Sequence, residues 1–396
     1  MKVLHVIPSV SDRSGGPAQA IFPMCRALLT RGLDVTIATT NHGVSNGDLV
    51  SNNVTGKRDL NFARRYRGIS TYFFPVQWGD GFKYSRPLAN WLDANVKSFD
   101  VVHIHAVFNH ASLAAARGCL KHGVPYVIRP LGTLDPWSMK QKPVRKKLFW
   151  SLVGRKMLRE ASAIHYTAQA ELSAAEGLLG LTRGMVVPLG IDGSDFPVHD
   201  QISCNSLGVA DPYVLVLARL HPKKGLDVLI QAFLELGKSG RFPEWRLVIA
   251  GDGDEHYVAS LRQMVTDRGG NGVVIFRGWI EGQEKKSVLR NASLLALPSR
   301  QENFGLCVLE ALSQGIPVIV SPEVNLAKDI DAAGAGWIST VDVSALEKCL
   351  ADALSNEEER VKRGCAGKSF SRSFEWNKIA ESLESMYVSV VATRLL

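Results

Sequence analysis

Between Ser293 and Leu312 the chain reads SLLALPSRQENFGLCVLEAL. The run from Ser293 to Pro298 has the length and apolar character of a buried strand that ends in a turn. From Leu306 onward the apolar residues follow helical spacing until Gly315, a residue type that commonly ends helices. The segment therefore predicts a strand, a loop and a helix, which is the repeating unit of an α/β fold.

Two carboxylates bracket the start of this helix. Glu302 falls on the loop at the carboxyl end of the strand, and Glu310 falls within the helix. The amides from Phe304 to Leu306 lie at the helix start, where free N–H groups attract anions. An anion site beside two carboxylates suits a ligand with phosphates, ribose hydroxyls and a sugar. On spacing alone, an ordinary loop with surface glutamates is the alternative.

Strand and helix signals alternate along the whole chain, a pattern typical of a mostly parallel sheet covered on both faces. They fall into two groups, so we predict two doubly wound units that join near 192–211. We expect strands at 3–7, 34–39, 71–74, 101–105, 126–128, 163–166, 185–187, 213–218, 246–250, 273–276, 294–297, 317–320 and 336–338. The last stretch, Trp376 to Thr393, predicts a final helix.

Composition is that of a globular enzyme, with 396 residues, 46% apolar and 21% charged. No apolar run is long enough to span a bilayer. The start of the chain predicts a first buried strand rather than a secretory signal. Six cysteines are scattered without a Cys-x-x-Cys. This spacing argues against a disulfide framework or a zinc site and predicts a reducing, cytoplasmic location.

Positive charge is concentrated in the first half of the chain. Residues 1–200 hold 24 Lys/Arg and 14 Asp/Glu, whereas residues 201–396 hold 22 and 24. The excess is densest from Arg129 to Arg159, where nine basic residues accompany one acid, Asp135. Nucleic acid, an anionic membrane surface and an anionic acceptor are the partners such a patch could have.

Part of this patch has helical periodicity. Residues 143–159 predict a helix with proline in its first turn. Its apolar stripe (Val144, Leu148, Leu152 and Val153) and its basic residues (Arg145, Lys146, Lys147, Arg155, Lys156 and Arg159) make it amphipathic. Such a helix can lie on a membrane, or it can be a core helix with a solvated basic face.

Two basic residues follow the first strand of the second half. Arg219 and Lys224 are five residues apart across a turn, so they could converge on one diphosphate. A cationic clamp would stabilise the charge that develops on a leaving diphosphate. A solvated basic loop is the alternative on spacing alone.

Glycines follow several predicted strands. Gly15 and Gly16 precede a helix after the first strand, where they allow backbone to approach a ligand closely. Gly251 and Gly278 each follow a strand of the second half. A simple turn is the alternative at each of these positions.

A His-x-His pair, His103 and His105, points to one face of a predicted strand. No third ligand has a recognisable spacing, so the pair alone does not predict a metal site. His105 falls at the carboxyl end of the strand, where doubly wound sheets place ligands. His110 follows on the same loop, and Arg129 follows another strand at the same edge, where it could line an acceptor site.

In their order, these motifs resemble family 4 retaining glycosyltransferases of the GT-B fold. The resemblance rests on Glu302 to Val318, which matches the family's Glu-x7-Glu signature, and on the Arg219/Lys224 clamp. It covers nearly the whole chain and adds the glycine-rich loop at Gly15. It implies two facing Rossmann-like domains, with a C-terminal helix that returns to the first.

The resemblance also implies roles. Arg219, Lys224 and the Phe304–Leu306 amides would carry the leaving diphosphate, Glu310 the ribose and Glu302 the donor sugar. His105 would sit against that sugar. Further donor contacts would come from Gly15, Gly16, Asn303, Gly305 and from the nucleobase edges at Gly251 and Gly278; acceptor contacts would come from Arg129 and His110.

The expected enzyme needs no metal or other cofactor and uses a nucleotide-sugar donor with a sugar or lipid-linked acceptor in surface polysaccharide or glycolipid assembly. We expect an acceptor domain at 1–195 plus about 376–396, a donor domain at 205–375, peripheral contact with anionic membrane from the cytoplasmic side, and no nucleic acid partner.

Two alternatives stay open. A sucrose-phosphate-synthase-like enzyme would act on a soluble sugar phosphate, but the stretch from His103 to Phe108 lacks the Gly-His-Tyr-type motif expected of that class. A nicotinamide-dependent or ligand-binding Rossmann protein would carry Gly-x-Gly-x-x-Gly after the first strand, and the loop from Ser9 to Pro17 does not.

Overall fold

A computed structural model describes residues 1–44, 64–135, 138–139, 143–180, 183–192 and 212–393. The chain forms two compact units. The first unit comprises Met1–Asp192 and Trp376–Leu396, and the second comprises Gly193–Glu375. Apart from Asp192, the predicted join at 192–211 lies outside the described residues.

The first unit is built on an eight-stranded sheet in the order β3-β4-β2-β1-β5-β6-β7-β8. All neighbouring strands are parallel except the antiparallel β3–β4 pair. The strands are β1 (Lys2–Ile7), β2 (Asp34–Thr40), β3 (Arg64–Tyr66), β4 (Ile69–Phe74), β5 (Val101–His105), β6 (Tyr126–Arg129), β7 (Ala163–Tyr166) and β8 (Gly184–Val186). Sequence analysis missed β3 because its three residues include two arginines and give no apolar signal.

Helices connect these strands: α1 (Gly16–Thr30), α2 (Arg86–Asn95), α3 (His110–His122), α4 (Pro143–Phe149), α5 (Arg155–Arg159) and α6 (Gln169–Leu179). The helix predicted at 143–159 is present but not uniform. Its middle, Trp150–Gly154, is wound as a π-helix between α4 and α5. Such wider turns place an extra residue in the helix and shift the faces on either side.

The second unit has a six-stranded, fully parallel sheet in the order β11-β10-β9-β12-β13-β14. Its strands are β9 (Tyr213–Leu217), β10 (Arg246–Ala250), β11 (Val274–Gly278), β12 (Leu294–Leu297), β13 (Val318–Val320) and β14 (Gly336–Ile338). Its helices are α7 (Leu226–Lys238), α8 (Glu255–Asp267), α9 (Gly282–Arg290), α10 (Leu306–Ser313), α11 (Ala327–Ala332), α12 (Val343–Ser355) and α13 (Glu357–Ser371).

The chain then returns to the first unit as α14 (Trp376–Ala392), which confirms the predicted C-terminal helix. Glu384 pairs with Arg31 at the end of α1, at 2.5 Å. Trp376 covers Gly190 so closely that a Cβ there would lie 2.3 Å from the indole. Tyr387 is buried and reaches the sheet, as described below.

Each sheet has one point at which the strand order reverses direction. In the first unit this point lies between β1 and β5, and in the second between β9 and β12. The loops that follow such a pair of strands diverge to opposite faces of the sheet and leave a crevice, which is where doubly wound sheets bind ligands. The residues that follow β1, β5, β9 and β12 are therefore the ones that the fold places for function.

Candidate active site

In the second unit, the loop after β9 and the loop after β12 are fastened to each other. The Arg300 amide donates to the Lys223 carbonyl at 2.6 Å. The Arg300 guanidinium also pairs with Asp227 at 3.0 Å. Gly225 has a φ of +64°, and a Cβ there would lie 2.2 Å from the Pro298 carbonyl oxygen. This close approach explains why a glycine stands after Lys224.

Two predicted site residues meet across these loops. The Lys224 ammonium forms an ion pair with the Glu302 carboxylate. Their side chains are 10% and 15% exposed. Burial acts to raise the pKa of Glu302. The positive charges of Lys224 and Lys223, with hydrogen bonds from the Lys224 ammonium and the Phe304 amide, outweigh burial and leave that pKa below its usual value. The Glu302 carboxylate is therefore ionised at neutral pH.

The start of α10 carries the predicted anion site. Gly305 is the N-cap residue, with a φ of +77° and no side chain to cap the helix. Asn303 is held by Asn325, whose side-chain amide donates to the Asn303 carbonyl at 2.9 Å. The first turn, from Leu306, therefore begins next to the Lys224–Glu302 pair. Its N–H groups carry the partial positive charge of the helix dipole.

Glu310 lies on α10, as predicted, and has a partner that sequence reasoning missed. The Lys285 ammonium, from α9, donates to Glu310 Oε1 at 2.7 Å. Both side chains are partly exposed, at 25% for Lys285 and 31% for Glu310. No motif marks Lys285, because the two residues are 25 positions apart and meet only through the packing of α9 against α10.

The other predicted residues of this unit lie at the same edge. Arg219 is exposed on the loop after β9. Gly251 directly follows β10 and Gly278 ends the neighbouring β11, and the Gly251 amide donates to the Gly278 carbonyl at 2.7 Å. A Cβ on Gly251 would lie 1.9 Å from the Ala218 carbonyl oxygen, so packing alone requires that glycine.

In the first unit, three predicted residues, Gly15, Gly16 and His105, stand at the β1/β5 reversal. Gly15 is the N-cap of α1 with a φ of +92°, Gly16 is the first residue of that helix, and a Cβ on Gly15 would meet no atom within 4 Å. His105 is the last residue of β5. The next residue, Ala106, has a φ of +71°, a conformation that side chains rarely adopt and that is enriched at functional sites.

His105 belongs to a group of buried polar side chains on one face of the first sheet. Parallel register places His5 opposite His103, and His105 opposite Arg129. Because residues two apart in a strand share a face, these four side chains lie on one face. Ile128 pairs with Ile164, so Arg129 is likewise level with His165. We refer to His5, His103, His105, Arg129 and His165 as the histidine layer; each is at most 1% exposed.

Hydrogen bonds fix the proton positions in part of this layer. His165 Nε2 lies 2.7 Å from the Val187 carbonyl, which can only accept, so that nitrogen donates. In a neutral ring, His165 Nδ1 then accepts from His103 Nε2 at 3.2 Å. His103 Nδ1 in turn accepts from the Tyr387 hydroxyl at 2.7 Å. The chain of bonds runs in one direction and ties α14 to the sheet.

Burial, with the nearby charge of Arg129, sets the electrostatics of the layer. None of the three guanidinium nitrogens of Arg129 has a hydrogen-bond partner among the residues that the structure describes, and burial lowers the pKa of Arg129 to about 10. Burial, followed by the charge of Arg129, lowers the pKa of His5 and of His165 to about 3. The pKa values of His103 and His105 are also well below their usual range, mainly through burial. All four imidazoles are therefore neutral at pH 7.

The histidine layer bears on the question of a metal site at His103 and His105 and on the predicted contact between Arg129 and the acceptor. His5 supplies the third imidazole that spacing could not show, since one nitrogen from each of His5, His103 and His105 lies within 4.8 Å of the other two. Both His103 nitrogens already have protein partners, and the nearby guanidinium repels cations, which favours a hydrogen-bonded layer over a metal site. An acceptor could reach Arg129 only if covering residues moved, so that contact stays a prediction.

His110, the other residue predicted for the acceptor, is nearly buried at the start of α3. Its Nδ1 accepts the Ser85 amide at 3.2 Å, and its ring lies 4.5 Å from that of Tyr84. This arrangement joins the start of α3 to that of α2, because Ser85 caps α2. A contact between His110 and an acceptor stays a prediction.

Glu171, on α6, is a buried carboxylate that sequence reasoning missed. Its Oε1 accepts the Gly132 amide, and its Oε2 accepts the Thr167 amide, both at 2.8 Å. Burial raises its pKa despite these bonds. Glu171 thereby holds the loop after β6, in which Leu131 has a φ of +61°. No sequence signal marks it, because its partners come from two separate loops.

Comparison with solved structures defines the class of fold. Anabaena HepE in complex with UDP and glucose is 20% identical, with a TM-score of 0.78, over 98% of this chain and 100% of that one. At this identity the likeness shows the fold, which is GT-B. The chain has two α/β units, each built on a mostly parallel sheet, and its final helix belongs to the first unit. These features agree with the GT-B fold, so the predicted fold class is confirmed.

Family comparison then places the chain. Residues 205–370 match the family described as Glycosyl transferases group 1, and residues 15–190 match the Glycosyl transferase 4-like domain. Together the two matches cover most of the chain, which belongs to the group 1 glycosyltransferases. It is therefore a nucleotide-sugar-dependent glycosyltransferase of the hexosyltransferase class, as predicted.

Two curated relatives show the range of activities nearby. The chain is 28% identical to the GDP-mannose-dependent monoacylated alpha-(1-6)-phosphatidylinositol monomannoside mannosyltransferase of Corynebacterium glutamicum, over 59% of this chain and 64% of the relative. It is 25% identical to the GDP-mannose:cellobiosyl-diphosphopolyprenol alpha-mannosyltransferase of Xanthomonas oryzae pv. oryzae, over 96% of this chain and 94% of the relative.

Among the residues that the structure describes, no helix has the length and apolar character needed to cross a membrane.

Proposed function

We propose that this enzyme transfers a sugar, with retention of configuration, from a nucleotide-sugar to a lipid-linked acceptor in the assembly of a surface polysaccharide or glycolipid. The observation that carries the donor half is the meeting of Lys224, Glu302 and the α10 start at the β9/β12 reversal. The names of the two relatives, which include phosphatidylinositol and diphosphopolyprenol, support the proposal that the acceptor is lipid-linked.

The donor diphosphate is assigned to Lys224, Arg219 and the amides at the start of α10. Lys224 is nearly buried, so its charge is poorly screened by water and acts strongly on a phosphate. Through its ion pair, Glu302 orients the Lys224 ammonium before the donor arrives. When the diphosphate accepts hydrogen bonds from the Lys224 ammonium, the Glu302 carboxylate can accept hydrogen bonds from hydroxyls of the donor sugar.

Glu310 is assigned to the ribose hydroxyls of the donor. A carboxylate only accepts, and two vicinal hydroxyls are matching donors. Lys285 holds Oε1, so we assign Oε2 to the ribose. Asn303, Gly305, Gly251 and Gly278 stay assigned to the surroundings of the donor, mainly through backbone atoms.

In the first unit, His105 and the Gly15–Gly16 turn are the residues we assign to the reacting sugar and its phosphate. The neutral state of His105 matters, because an imidazolium would oppose the positive charge that develops on the sugar. Arg129 helps to keep His105 neutral. We therefore assign two roles to Arg129: this electrostatic effect on His105 and the predicted contact with the acceptor.

Retention is proposed to follow a front-face substitution. The bond from the anomeric carbon to the phosphate oxygen breaks, the acceptor oxygen bonds to the same face of that carbon, and the acceptor proton passes to the departing phosphate. A covalent route would need a carboxylate nucleophile. Within the described part of the first unit, Glu171 is the buried acid, and amides occupy both its oxygens.

We propose that catalysis is metal-independent and that the protein works at the cytoplasmic face of a membrane. The nearest approach to an Asp-x-Asp metal motif is Asp252-Gly253-Asp254. Both carboxylates have local roles: Asp252 accepts the Gly253 amide at 2.8 Å, and Asp254 caps α8 by accepting the Tyr257 amide at 3.2 Å. This use supports a turn and a helix cap rather than a metal site.

The test begins with a screen of nucleotide-sugars, GDP-mannose and UDP-glucose first, for binding and hydrolysis. Lys224→Ala should then weaken binding of the matching nucleoside diphosphate about tenfold to a hundredfold, the value of a hydrogen bond to a charged group. Lys238→Ala, at the exposed carboxyl end of α7, is the matched control and should change that affinity little.

Thermal melting distinguishes lost binding from lost folding, because Lys224→Ala leaves Glu302 unpaired. Equal diphosphate affinity in Lys224→Ala and the parent, by calorimetry, would refute the clamp. Transfer to a soluble sugar phosphate but to no lipid-linked sugar would favour the sucrose-phosphate-synthase-like alternative.

A further inference from the structure

Three large aliphatic side chains lie in a row on the outside of the first unit. Val144, Leu148 and Leu152 are 78%, 59% and 69% exposed. They are four residues apart, so successive members lie one helical turn apart on the same side. Single exposed apolar residues are ordinary on a protein surface, but a continuous row marks an interaction site. We call these three residues the aliphatic row.

The row is not the face by which this helical segment packs on its own unit. Phe149 and Trp150 lie against the apolar core, and Gly154, Met157 and Leu158 are buried. The segment therefore docks by one side and turns the other, also apolar, to the outside. This decides between the two interpretations of the predicted amphipathic helix: the row is not a core face.

Basic residues flank the row. Each residue along a helix turns by about 100°, so Arg145 falls on one side of it and Lys147 on the other. Farther along, Arg155, Lys156 and Arg159 are exposed as well. No Asp or Glu occurs between Asp135 and Glu160. The surface thus combines aliphatic side chains with cationic margins, and the segment itself supplies no acid before Glu160 to neutralise them.

We infer that the aliphatic row and its basic margins form a membrane-docking surface, which enters the headgroup region of an anionic lipid bilayer. The basic margins are complementary in charge to an anionic lipid surface, which favours a bilayer as the partner. A protein partner would be expected to meet large aromatic anchors with few charges around them, and the exposed members of this row are all aliphatic. The inference deepens the proposed function, because it rests on an acceptor anchored in a membrane.

Docking would place the segment parallel to the bilayer surface. Its 17 residues, 143–159, would extend about 25 Å at the rise of an α-helix. The aliphatic side chains would contact acyl chains near the headgroups, while the arginines and lysines, with their long stems, reach phosphates on either side. The first unit would then be held against the surface that carries a lipid-linked acceptor.

The experiment is flotation of the whole protein with vesicles of phosphatidylcholine, with and without phosphatidylglycerol. The parent should bind the anionic vesicles, and added salt should weaken that binding because it shortens the Debye length. Leu148→Ser/Leu152→Ser should reduce vesicle binding at least tenfold at constant salt. Arg145→Ser/Lys147→Ser should remove the preference for phosphatidylglycerol.

Two exposed valines elsewhere give the matched control. Val361 and Val388 are 60% and 55% exposed, and Val361→Ser/Val388→Ser should float like the parent. Flotation of Leu148→Ser/Leu152→Ser equal to that of the parent would overturn the inference. Parent self-association in sedimentation velocity that the same double variant abolishes, with vesicle binding unchanged, would assign the row to a second copy of the chain and also overturn it.

Failure of the docking surface can be separated from failure of the proposed function. Donor hydrolysis and transfer to a soluble acceptor analogue should be equal in the parent and in Leu148→Ser/Leu152→Ser. If the variant loses vesicle binding but no nucleotide-sugar is turned over by either protein, the surface stands and the proposed function fails. If turnover is present and both proteins float equally, the function stands and the surface fails.

Discussion

The histidine layer should make the first unit sensitive to mild acid. His5, His103, His105 and His165 are buried and neutral, whereas in the unfolded chain each takes up a proton near pH 6.5. Their folded pKa values are lower than their unfolded values. Stability is therefore fully present above about pH 6.5 and is lost as pH falls towards the folded values, because the unfolded state binds more protons.

The size of the effect follows from the number of groups. One pKa unit corresponds to about 1.4 kcal/mol, so each histidine loses about 2 kcal/mol of stability between about pH 7.5 and pH 5. Four histidines together lose about 8 kcal/mol, which is comparable with the whole stability of a domain. The result depends little on the folded values, which for His5 and His165 are about 3.

Neighbouring groups do not cancel this loss. Arg129 adds repulsion to each protonated imidazole, and Tyr387 stays neutral because burial raises its pKa. The thiol of Cys25, which adjoins Tyr387, is neutral for the same reason. Glu171 has a raised pKa and so gives some stability back as pH falls, but it is a single group against four.

Hydrogen exchange of the intact protein, followed by peptide at a series of pH values, is the assay. After correction for the intrinsic pH dependence of exchange, peptides from β1, β5 and β7 should lose protection as pH falls from about 6.5 to 5. Those from β9 and β10 should keep it. Loss of protection first in β9 and β10, or no pH dependence in β1, β5 and β7, would refute the reasoning.

His165→Gln provides a second test, because glutamine can still donate to Val187 and accept from His103. This variant should lower the slope of stability against pH by about 1.4 kcal/mol per unit below about pH 6, the share of one proton. His256→Gln, at an exposed position on α8, is the control and should leave the slope unchanged.

Three further predictions follow from the second unit. Glu310→Gln should weaken binding of the nucleoside diphosphate about tenfold, since a neutral amide replaces a charged acceptor; equal affinity by calorimetry would exclude the ribose role. Gly225→Ala, whose Cβ would meet the Pro298 carbonyl at 2.2 Å, should destabilise the unit by more than about 2 kcal/mol in denaturant melts, whereas Gly177→Ala, in open space on α6, should stabilise the protein slightly. Turnover should survive a chelator in full; a strict requirement for manganese or magnesium would mean that a metal site had been overlooked.

Local patterns were enough to predict most of the fold. The alternation of strands and helices, the Glu302-to-Val318 segment and the final helix all depend on residues close in sequence. Strand ends were right to within a few residues, because a buried strand must be apolar and a turn must not be. The exceptions had weak local signals: β3 is short and polar, and the π-helical turn at Trp150–Gly154 has no pattern of its own.

The sequence by itself placed Lys224, Glu302, Glu310 and His105 at strand ends or helix starts, because strand-loop-helix order is local. The tertiary structure alone decided which side chains meet. Lys224 reaches Glu302 across 78 positions, and His103 reaches Tyr387 across 284. It also decided that the aliphatic row faces outward. Helical periodicity shows that a helix has an apolar side, but only the packing of the whole unit determines whether that side is covered.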